Sequence, residues 1–471
     1  MESWGNVAKS FFLGKSRIDL TQGPIYKNLL LFAVPILLGT VVTQLYHVAD
    51  SVIVGQFVSA DALAAVSASA PAMSVINMFM IGLSTGSTVV IAQRAGAKDQ
   101  EGVQKAIGTI GCLILLCSIF ITVAGLLLSK PLLTLLGTPQ EIFQDSYRYL
   151  VVVYLGTMGN MVYQMGSGAL RGMGDSTWPF LFLLLCSVLN VILDLVTVLL
   201  LNWGVFGVAL ATSLSQLISG IGVVIHLNRG NYGVKITPAA LRLDPAQTKQ
   251  VVGVGLPAAI QNIGNSIAAL CVQSSVNVFG ASFIAANSIV TKVDDLINIP
   301  VVALSTALCT FVGQNIGPMK MDRIQKGINF SIISLCGLGV GMCGLLIGLR
   351  KVLPLMFTSE ADVIWMASQG IFIMSFMCLF HGIDRCLVNA MRGAGKSMVP
   401  MVTAQFGAFS RIPLAYFLAV RTGNYLGIFY ALLIASLLRT LAIAFYYYCG
   451  GWKRAVEKFK EKHGQKLPAQ L

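Results

Sequence analysis

The sequence predicts an all-α polytopic membrane protein with twelve transmembrane helices in two pseudo-symmetric six-helix lobes. Two observations support this. Of the 471 residues, 56% are hydrophobic and only 11% are charged, whereas globular proteins carry about 25% charged residues. In addition, three blocks of sequence recur at almost the same spacing along the chain, which indicates a duplicated lobe. The mean hydropathy of +0.78 excludes an ordinary soluble enzyme.

The predicted spans are the apolar stretches that are long enough to cross a bilayer, which takes about 20 residues. The first half contains spans at 28–54, 62–92, 104–128, 146–169, 178–201 and 205–227. The second half contains spans at 251–277, 283–313, 328–353, 364–389, 398–420 and 425–448. The ten cysteines lie in or beside these stretches without a CxxC pair, so we interpret them as small apolar helix residues.

The basic residues predict the orientation. Most of the 32 Lys and Arg residues fall in the two tails and in the loops that follow even-numbered spans. The positive-inside rule then places both termini in the cytoplasm of a multi-pass protein of the plasma (inner) membrane. The net charge of +13 does not indicate nucleic-acid binding, because the basic residues are dispersed over short loops.

An internal repeat organises the chain. "GALRGMGDSTWPF" (168–180) resembles "NAMRGAGKSMVPM" (389–401), and segment 82–107 resembles 303–328 at the same offset in residue number; Pro35 and Pro257 match at an offset one position longer. Two lobes with six spans each share one orientation, as in two-lobed transporters. The predicted organisation is an N-terminal tail (1–27), a first lobe (28–228), a connector (229–250), a second lobe (251–449) and a basic tail (450–471).

Ionisable side chains inside the spans are the candidate functional residues, because they usually mark ion or substrate pathways. Asn190 and Asp194 are four residues apart and therefore share one face of span 5. His47 and Asp50 form a similar polar stripe in span 1. We interpret most Ser and Thr hydroxyls as interhelical hydrogen bonds. The acids are interpreted as functional, because a structural role rarely requires a carboxylate.

The chemistry of the two acids is compatible with either of two coupling ions, H⁺ or Na⁺. Burial disfavours the charged form of a carboxyl group, and two neighbouring carboxyl groups take up protons as a pair. Asp50 and Asp194 together with Asn190 are therefore candidates to bind H⁺ or Na⁺. A unit charge that crosses about 100 mV is worth roughly 2.3 kcal/mol, which is enough to drive modest export. No cofactor and no metal other than Na⁺ is expected.

The second lobe carries charges of both signs. Span 8 contains Asp294, our first candidate for a substrate contact in this lobe. The other charged or titratable residues of its spans include His381, Asp384, Arg385, Arg411 and Arg439. These balanced charges are typical of internal ion pairs that stabilise the helix bundle. The alternative is that they have a functional role in transport.

Four segments resemble the multidrug and toxic compound extrusion (MATE) transporters: "IDLTQGPIYKNLLLFAVPILL" (18–38), "VADSVIVGQFVSADALAAVS" (48–67), "GALRGMGDS" (168–176) and "LNVILD" (189–194). The resemblance implies a V-shaped central cavity and export of cationic amphiphilic compounds by H⁺ or Na⁺ antiport, with alternating access of the two lobes. It implies the N-terminal-lobe cation site at Asp50, Asn190 and Asp194, with further contacts from Gln164 and Thr212. The sequence departs from another branch of the family, which has a glutamate in span 7.

Three other functions compete with drug export. A lipid-linked saccharide flippase would use the second-lobe arginines for pyrophosphate, but Asp50 and Asp194 argue against it. An integral-membrane enzyme would need a catalytic cluster, and the sequence has no HExxH motif and no large soluble domain. A non-transporting scaffold would not need buried acids. We expect a monomer whose partners are a small organic, cationic substrate and the lipid bilayer.

Overall fold

The computed structural model describes residues 17–230 and 232–452, and within them the regular structure is helical apart from one isolated bridge between Arg17 and Asp175. The α-helices of these residues are α1 (Ile25–Phe57), α2 (Ala60–Gly96), α3 (Gln100–Leu135), α4 (Gln140–Gly172), α5 (Thr177–Leu195), α6 (Gly204–Arg229), α7 (Pro245–Asn277), α8 (Ala281–Ile316), α9 (Met321–Leu349), α10 (Ala361–Ser375), α11 (Cys378–Gly393), α12 (Met398–Ala415) and α13 (Leu426–Tyr446). Most of the predicted tails, namely 1–16 and 453–471, lies outside the described residues.

The helices confirm the predicted fold class. Eight of those in the described residues (α1, α2, α3, α5, α6, α8, α9 and α13) are long and apolar enough to cross a membrane. The pair α10 and α11 makes a ninth span if it is taken as one bent helix. The less apolar helices α4, α7 and α12 coincide with the three remaining predicted spans. Backbone groups must be satisfied internally in lipid, which explains the continuous helices.

One predicted span, 364–389, is divided between α10 and α11, which meet at an angle of 49°. Neither proline nor glycine lies at the break. The hydroxyl of Ser375 donates to the carbonyl of Phe372 at 2.7 Å. A side-chain hydrogen bond of this kind competes with the helical ladder and bends helices.

The backbone repeats the duplication seen in the sequence. Left-handed φ angles occur in three matching pairs: Lys98 (56°) with Met319 (59°), Gly174 (92°) with Gly395 (79°), and Asn202 (52°) with Gly423 (68°). The members of each pair are separated by the same offset that relates the two copies of the sequence repeat. Because non-glycine residues seldom adopt positive φ, the recurrence shows that the same turns are built in both lobes.

The described residues divide into two compact units, one of residues 17–23 with Leu30–Ala259 and the other of Pro24–Leu29 with residues 260–452. In the first unit, α2, α4 and α6 pack closely around buried residues such as Met80, Met165 and Val223. A Cβ on Gly168 of α4 would lie only 2.6 Å from a carbonyl oxygen of α2. Small residues at such contacts let the helix backbones approach each other.

A buried polar cluster connects the start of α5 to the segment after α6. Asp175, which is 0% exposed, accepts two backbone N–H groups at the start of α5, both at 3.1 Å. Its other oxygen accepts the Tyr232 hydroxyl at 2.6 Å, and His226 Nε2 lies 2.9 Å from the same hydroxyl. Burial and the charge of Asp175 raise the pKa of Tyr232, which therefore remains a donor. The cluster helps to fix the two helices that carry Asn190 and Thr212.

Candidate functional site

The two acids predicted from the sequence come together in the first unit. Asp194 and Asn190, on successive turns of α5, are both 0% exposed. Asp50, on α1, is half-buried. Its carboxyl group lies within hydrogen-bonding reach of the Asp194 carboxyl group. Ionised carboxylates only accept hydrogen bonds, so the two groups do not satisfy each other unless they share a proton.

The oxygen atoms of this site lack partners. In the described part of the chain, Asp50 Oδ1, both carboxyl oxygens of Asp194 and Asn190 Oδ1 are buried without a hydrogen-bond partner. A buried unsatisfied polar group costs about 1–3 kcal/mol, and native proteins leave few of them. Carboxylate and amide oxygens are also the ligands that hard cations prefer. The arrangement therefore has the donor set of a site for one cation or one proton.

Thr212 of α6 joins the site through Asn190. The amide Nδ2 of Asn190 donates to Thr212 Oγ1 at 3.3 Å, and both side chains are buried. This contact uses the amide's donor side and leaves Oδ1 as the acceptor. The hydroxyl of Thr212 thereby orients the amide oxygen of the candidate site.

The helix that carries Asn190 and Asp194 changes its winding directly after them. α5 continues as a π-helical turn, Val196–Leu200. Within this turn, the Thr197 hydroxyl donates to the Asp194 carbonyl at 3.2 Å. A matching π-helical turn, Tyr416–Val420, follows α12 in the second lobe, where Ala415 stands at the position that corresponds to Asp194. The turn is therefore a feature of the repeated fold.

Two tyrosines complete the surroundings of the acids. Tyr149 of α4 is 8% exposed and interacts electrostatically with both Asp50 and Asp194. Tyr46 of α1 lies near Asp50 and within hydrogen-bonding reach of Thr212. No sequence pattern singles out Tyr149, because a single tyrosine in an apolar helix usually belongs to the core. Only the packing of α4 beside α1 and α5 reveals it.

Two other candidate residues of the first lobe lie outside this contact set. His47 is exposed on α1 and lines an open cavity of about 600 Å³ at the ends of α1 and α2. Gln164 lies on α4, and its carbonyl accepts the Ser84 hydroxyl at 2.6 Å. Among the described residues, no hydrogen bond joins either side chain to Asp50 or Asp194. Their roles stay predictions.

The second unit contains Asp294 and a buried ion pair. Asn298 Nδ2 donates to Asp294 Oδ2 at 3.1 Å. Arg439 Nε donates to Asp384 Oδ1 at 2.9 Å, and Nη2 contacts the second oxygen. Asp384 and Arg439 are 4% and 7% exposed. The expected internal ion pair is thus confirmed for Asp384 and Arg439.

A family model described as MatE matches residues 35–196 and 257–417, which is more than half of the chain. The chain belongs to the MatE family. The two matched blocks correspond to the two repeated lobes, and they include Asp50, Asn190, Asp194, Asp294 and Arg411.

Known relatives and structures agree with this membership. The chain is 27% identical to the "Probable multidrug resistance protein YoeA" of Bacillus subtilis (strain 168) over 442 residues, which cover 91% of this chain and 95% of that protein. It is 26% identical to the "Probable multidrug resistance protein NorM" of Thermotoga maritima over 456 residues, covering 93% and 96%. A crystal structure of "MATE in the bent conformation" superposes with a TM-score of 0.86 at 22% identity, covering 94% of this chain and 98% of that one.

These similarities confirm the predicted family and fold. Members of the MatE family are membrane transporters rather than enzymes. Together with the helices described above, they make this MatE-family chain a multi-pass membrane transporter.

Proposed function

We propose that this protein is a secondary-active antiporter that exports organic drugs or toxic compounds in exchange for inward H⁺ or Na⁺, by alternating access of its two lobes. The observation that carries the proposal is the group of four unpartnered buried oxygens of Asp50, Asn190 and Asp194. The multidrug resistance names of the two relatives support a drug-like substrate. They do not favour the lipid-linked saccharide flippase.

Electrostatics explains how such a site couples transport to an ion. Two ionised carboxylates in contact repel each other, and one bound proton or cation removes the repulsion. The first lobe therefore has an ion-bound and an ion-free state of different energy. An ion that binds more tightly to one lobe conformation than to another shifts the balance between these conformations. Entry of one ion down a potential of about 100 mV supplies roughly 2.3 kcal/mol.

The same charges support a cationic, amphiphilic substrate. A cation and the coupling ion would compete for the negative charge of Asp50 and Asp194, and mutually exclusive binding converts two fluxes into an exchange. The positive-inside distribution of basic residues supports a plasma membrane protein with both termini in the cytoplasm. We further propose that the transporting species is a monomer in contact with the bilayer.

Export from reconstituted vesicles tests this function. Vesicles loaded with the fluorescent cation rhodamine 123 are exposed to a pH gradient and, separately, to a Na⁺ gradient. The unmodified protein should export the dye under one of these gradients. Asp50→Asn and Asp194→Asn should export it at least about tenfold more slowly, which corresponds to a loss of about 1.4 kcal/mol in ion binding. Asp362→Asn, at an exposed acid in the first turn of α10, is the charge-matched control. Full gradient-driven export by both site variants would refute ion coupling at this site.

A further inference from the structure

The connector after α6 is fastened along the first turns of α3. Gln104 Nε2 donates to the carbonyl of Lys235 at 2.7 Å, and Gln104 Oε1 accepts the Lys235 N–H at 2.9 Å. Further along, Thr109 Oγ1 donates to the carbonyl of Arg242 at 3.3 Å and accepts the Asp244 N–H at 3.2 Å. These bonds from side chains to successive backbone groups hold the end of the connector in one place beside α3.

An open groove of about 600 Å³ lies where the connector joins α7. Its lining comes from the end of the connector and the first turns of α7, namely Leu243, Pro245, Thr248, Lys249, Val252 and Gly253. The lining is mostly apolar, and Leu243 is 49% exposed. A Cβ added to Gly253 would meet no atom within 4 Å outside its own stretch of helix. The groove therefore has an open apolar slot that a hydrocarbon chain can occupy.

The length of α7 places this groove at the boundary of the membrane. The helix has 33 residues, which at 1.5 Å each make about 50 Å, whereas the hydrocarbon core of a bilayer is about 30 Å thick. Since the predicted span begins at residue 251, Lys249 is expected in the headgroup layer and Gly253 at the edge of the hydrocarbon. Leu256 continues the exposed apolar face one turn further along α7.

The charges around the groove sum to one positive charge. Among the residues that the structure describes, neither Arg242 nor Lys249 forms an ion pair within 4.0 Å, and both are exposed. The nearby acid, Asp244, accepts a backbone N–H in the first turn of α7 at 2.9 Å and interacts electrostatically with Lys105. Lys105 also pairs with Glu101 at 2.6 Å. Two acids thus face three basic side chains.

We propose that this groove binds one anionic phospholipid, with its phosphate at Arg242 and Lys249 and one acyl chain over Gly253. Basic pockets beside membrane helices bind anionic headgroups. Thr248 Oγ1, which is buried without a partner in the described part of the chain, supplies a hydroxyl donor in the groove. One net positive charge suits the single negative charge of phosphatidylglycerol, and the apolar slot favours a lipid over free phosphate. The proposal does not depend on the export function.

Native mass spectrometry of the purified full-length protein tests the proposal. The protein in detergent receives phosphatidylglycerol or phosphatidylcholine with identical palmitoyl and oleoyl chains, and the bound lipids are counted as the lipid concentration rises. Lys249→Gln removes the charge, and Gly253→Leu fills the slot. Both residues are exposed, so neither substitution removes a packed side chain. Lys235→Gln, at another exposed lysine of the connector, and Gly337→Leu, at an exposed glycine of α9 with equally open surroundings, are the matched controls.

The expected result depends on both the headgroup and the groove. The unmodified protein and both controls should bind one phosphatidylglycerol molecule more tightly than phosphatidylcholine. Lys249→Gln should weaken this first binding step about fivefold, the usual contribution of one basic side chain at an anionic membrane surface. Gly253→Leu should weaken it at least as much, although no charge changes.

Four outcomes would overturn the proposal. Equal affinity of the unmodified protein for the two lipids would show that the groove does not recognise the headgroup. Unchanged phosphatidylglycerol affinity in either site variant would place the lipid elsewhere. Equal weakening by Lys235→Gln would indicate diffuse attraction to a positive surface. Displacement of the first phosphatidylglycerol by millimolar inorganic phosphate would assign the groove to a free anion.

Discussion

Asp194→Asn should make the protein more stable without its coupling ion while it abolishes coupling. Both carboxyl oxygens of Asp194 are buried without a partner, and the carboxyl group adjoins that of Asp50. An asparagine of nearly the same shape removes one negative charge. It also provides an N–H donor to the neighbouring carboxylate of Asp50. The variant therefore removes a repulsion that the unmodified protein relieves only by binding an ion.

The magnitude follows from the unsatisfied oxygens and from ligand linkage. Satisfying even one buried acceptor is worth about 1–3 kcal/mol. Without the ion, the free energy of unfolding of the variant should therefore exceed that of the unmodified protein by about that amount. An ion at a hundred times its dissociation constant stabilises the unmodified protein by about 2.7 kcal/mol. The variant should not gain this stability from the ion. When the ion is added, the unmodified protein should therefore become as stable as the variant or more stable.

Thermal unfolding of the purified protein, followed by tryptophan fluorescence, measures both effects. The coupling ion is supplied as a series of Na⁺ concentrations at constant ionic strength, with K⁺ as the balance, and as a series of pH values. The unmodified protein and Asp362→Asn should respond to one of the two series. If Asp194→Asn is less stable than the unmodified protein without the ion, or gains as much from the ion, the interpretation of the unpartnered oxygens is refuted.

Three further substitutions test particular contacts. Thr212→Val removes the acceptor that orients Asn190, and export at limiting coupling-ion concentration should fall about tenfold because one buried hydrogen bond is lost. Asp384→Asn removes the charge opposite Arg439 and should destabilise the protein by about 3–5 kcal/mol in thermal unfolding. Gly168→Ala places a methyl group 2.6 Å from a carbonyl oxygen of α2, and it should cost about 1–3 kcal/mol in the same measurement.

Each of these substitutions has an internal control. Thr212→Ser retains the hydroxyl, and an equal loss of export in both variants would contradict the orienting role. Asp384→Leu combined with Arg439→Met should recover much of the lost stability, because apolar pairs often substitute for buried ion pairs. A Cβ added to Gly341 would meet no atom within 4 Å outside its own stretch of helix, so Gly341→Ala should not lower stability and should raise it by up to about 1 kcal/mol, because alanine is the better helix former. Equal melting temperatures of Gly168→Ala and Gly341→Ala would argue against close packing at Gly168.

Hydropathy and the repeat predicted most of the fold, because a bilayer leaves the backbone few alternatives to helices. The paired turns at Lys98 and Met319 follow the offset of the sequence repeat. The bend between α10 and α11 was not predicted, since neither proline nor glycine stands at the break to mark it in the sequence.

The candidate site was predictable only in part. Helical spacing placed Asn190 and Asp194 on one face, and the rarity of buried acids singled out Asp50. Their contact depends on how α1 packs beside α5, which no local pattern contains. Tyr149 was missed for the same reason, because its closeness to the acids is purely tertiary. The expectation for Gln164 rests on resemblance and stays a prediction.

Reverse coupling tests most directly the claim that the Asp50 and Asp194 pair exchanges an ion for substrate. Vesicles without an ion gradient receive a gradient of rhodamine 123, and movement of H⁺ or Na⁺ is recorded with an ion-sensitive dye. We predict that the substrate gradient drives one of these ions in the opposite direction, and that this ion movement disappears in the double variant Asp50→Asn with Asp194→Asn. Substrate movement without ion movement in the unmodified protein, or unchanged ion movement in the double variant, would contradict it.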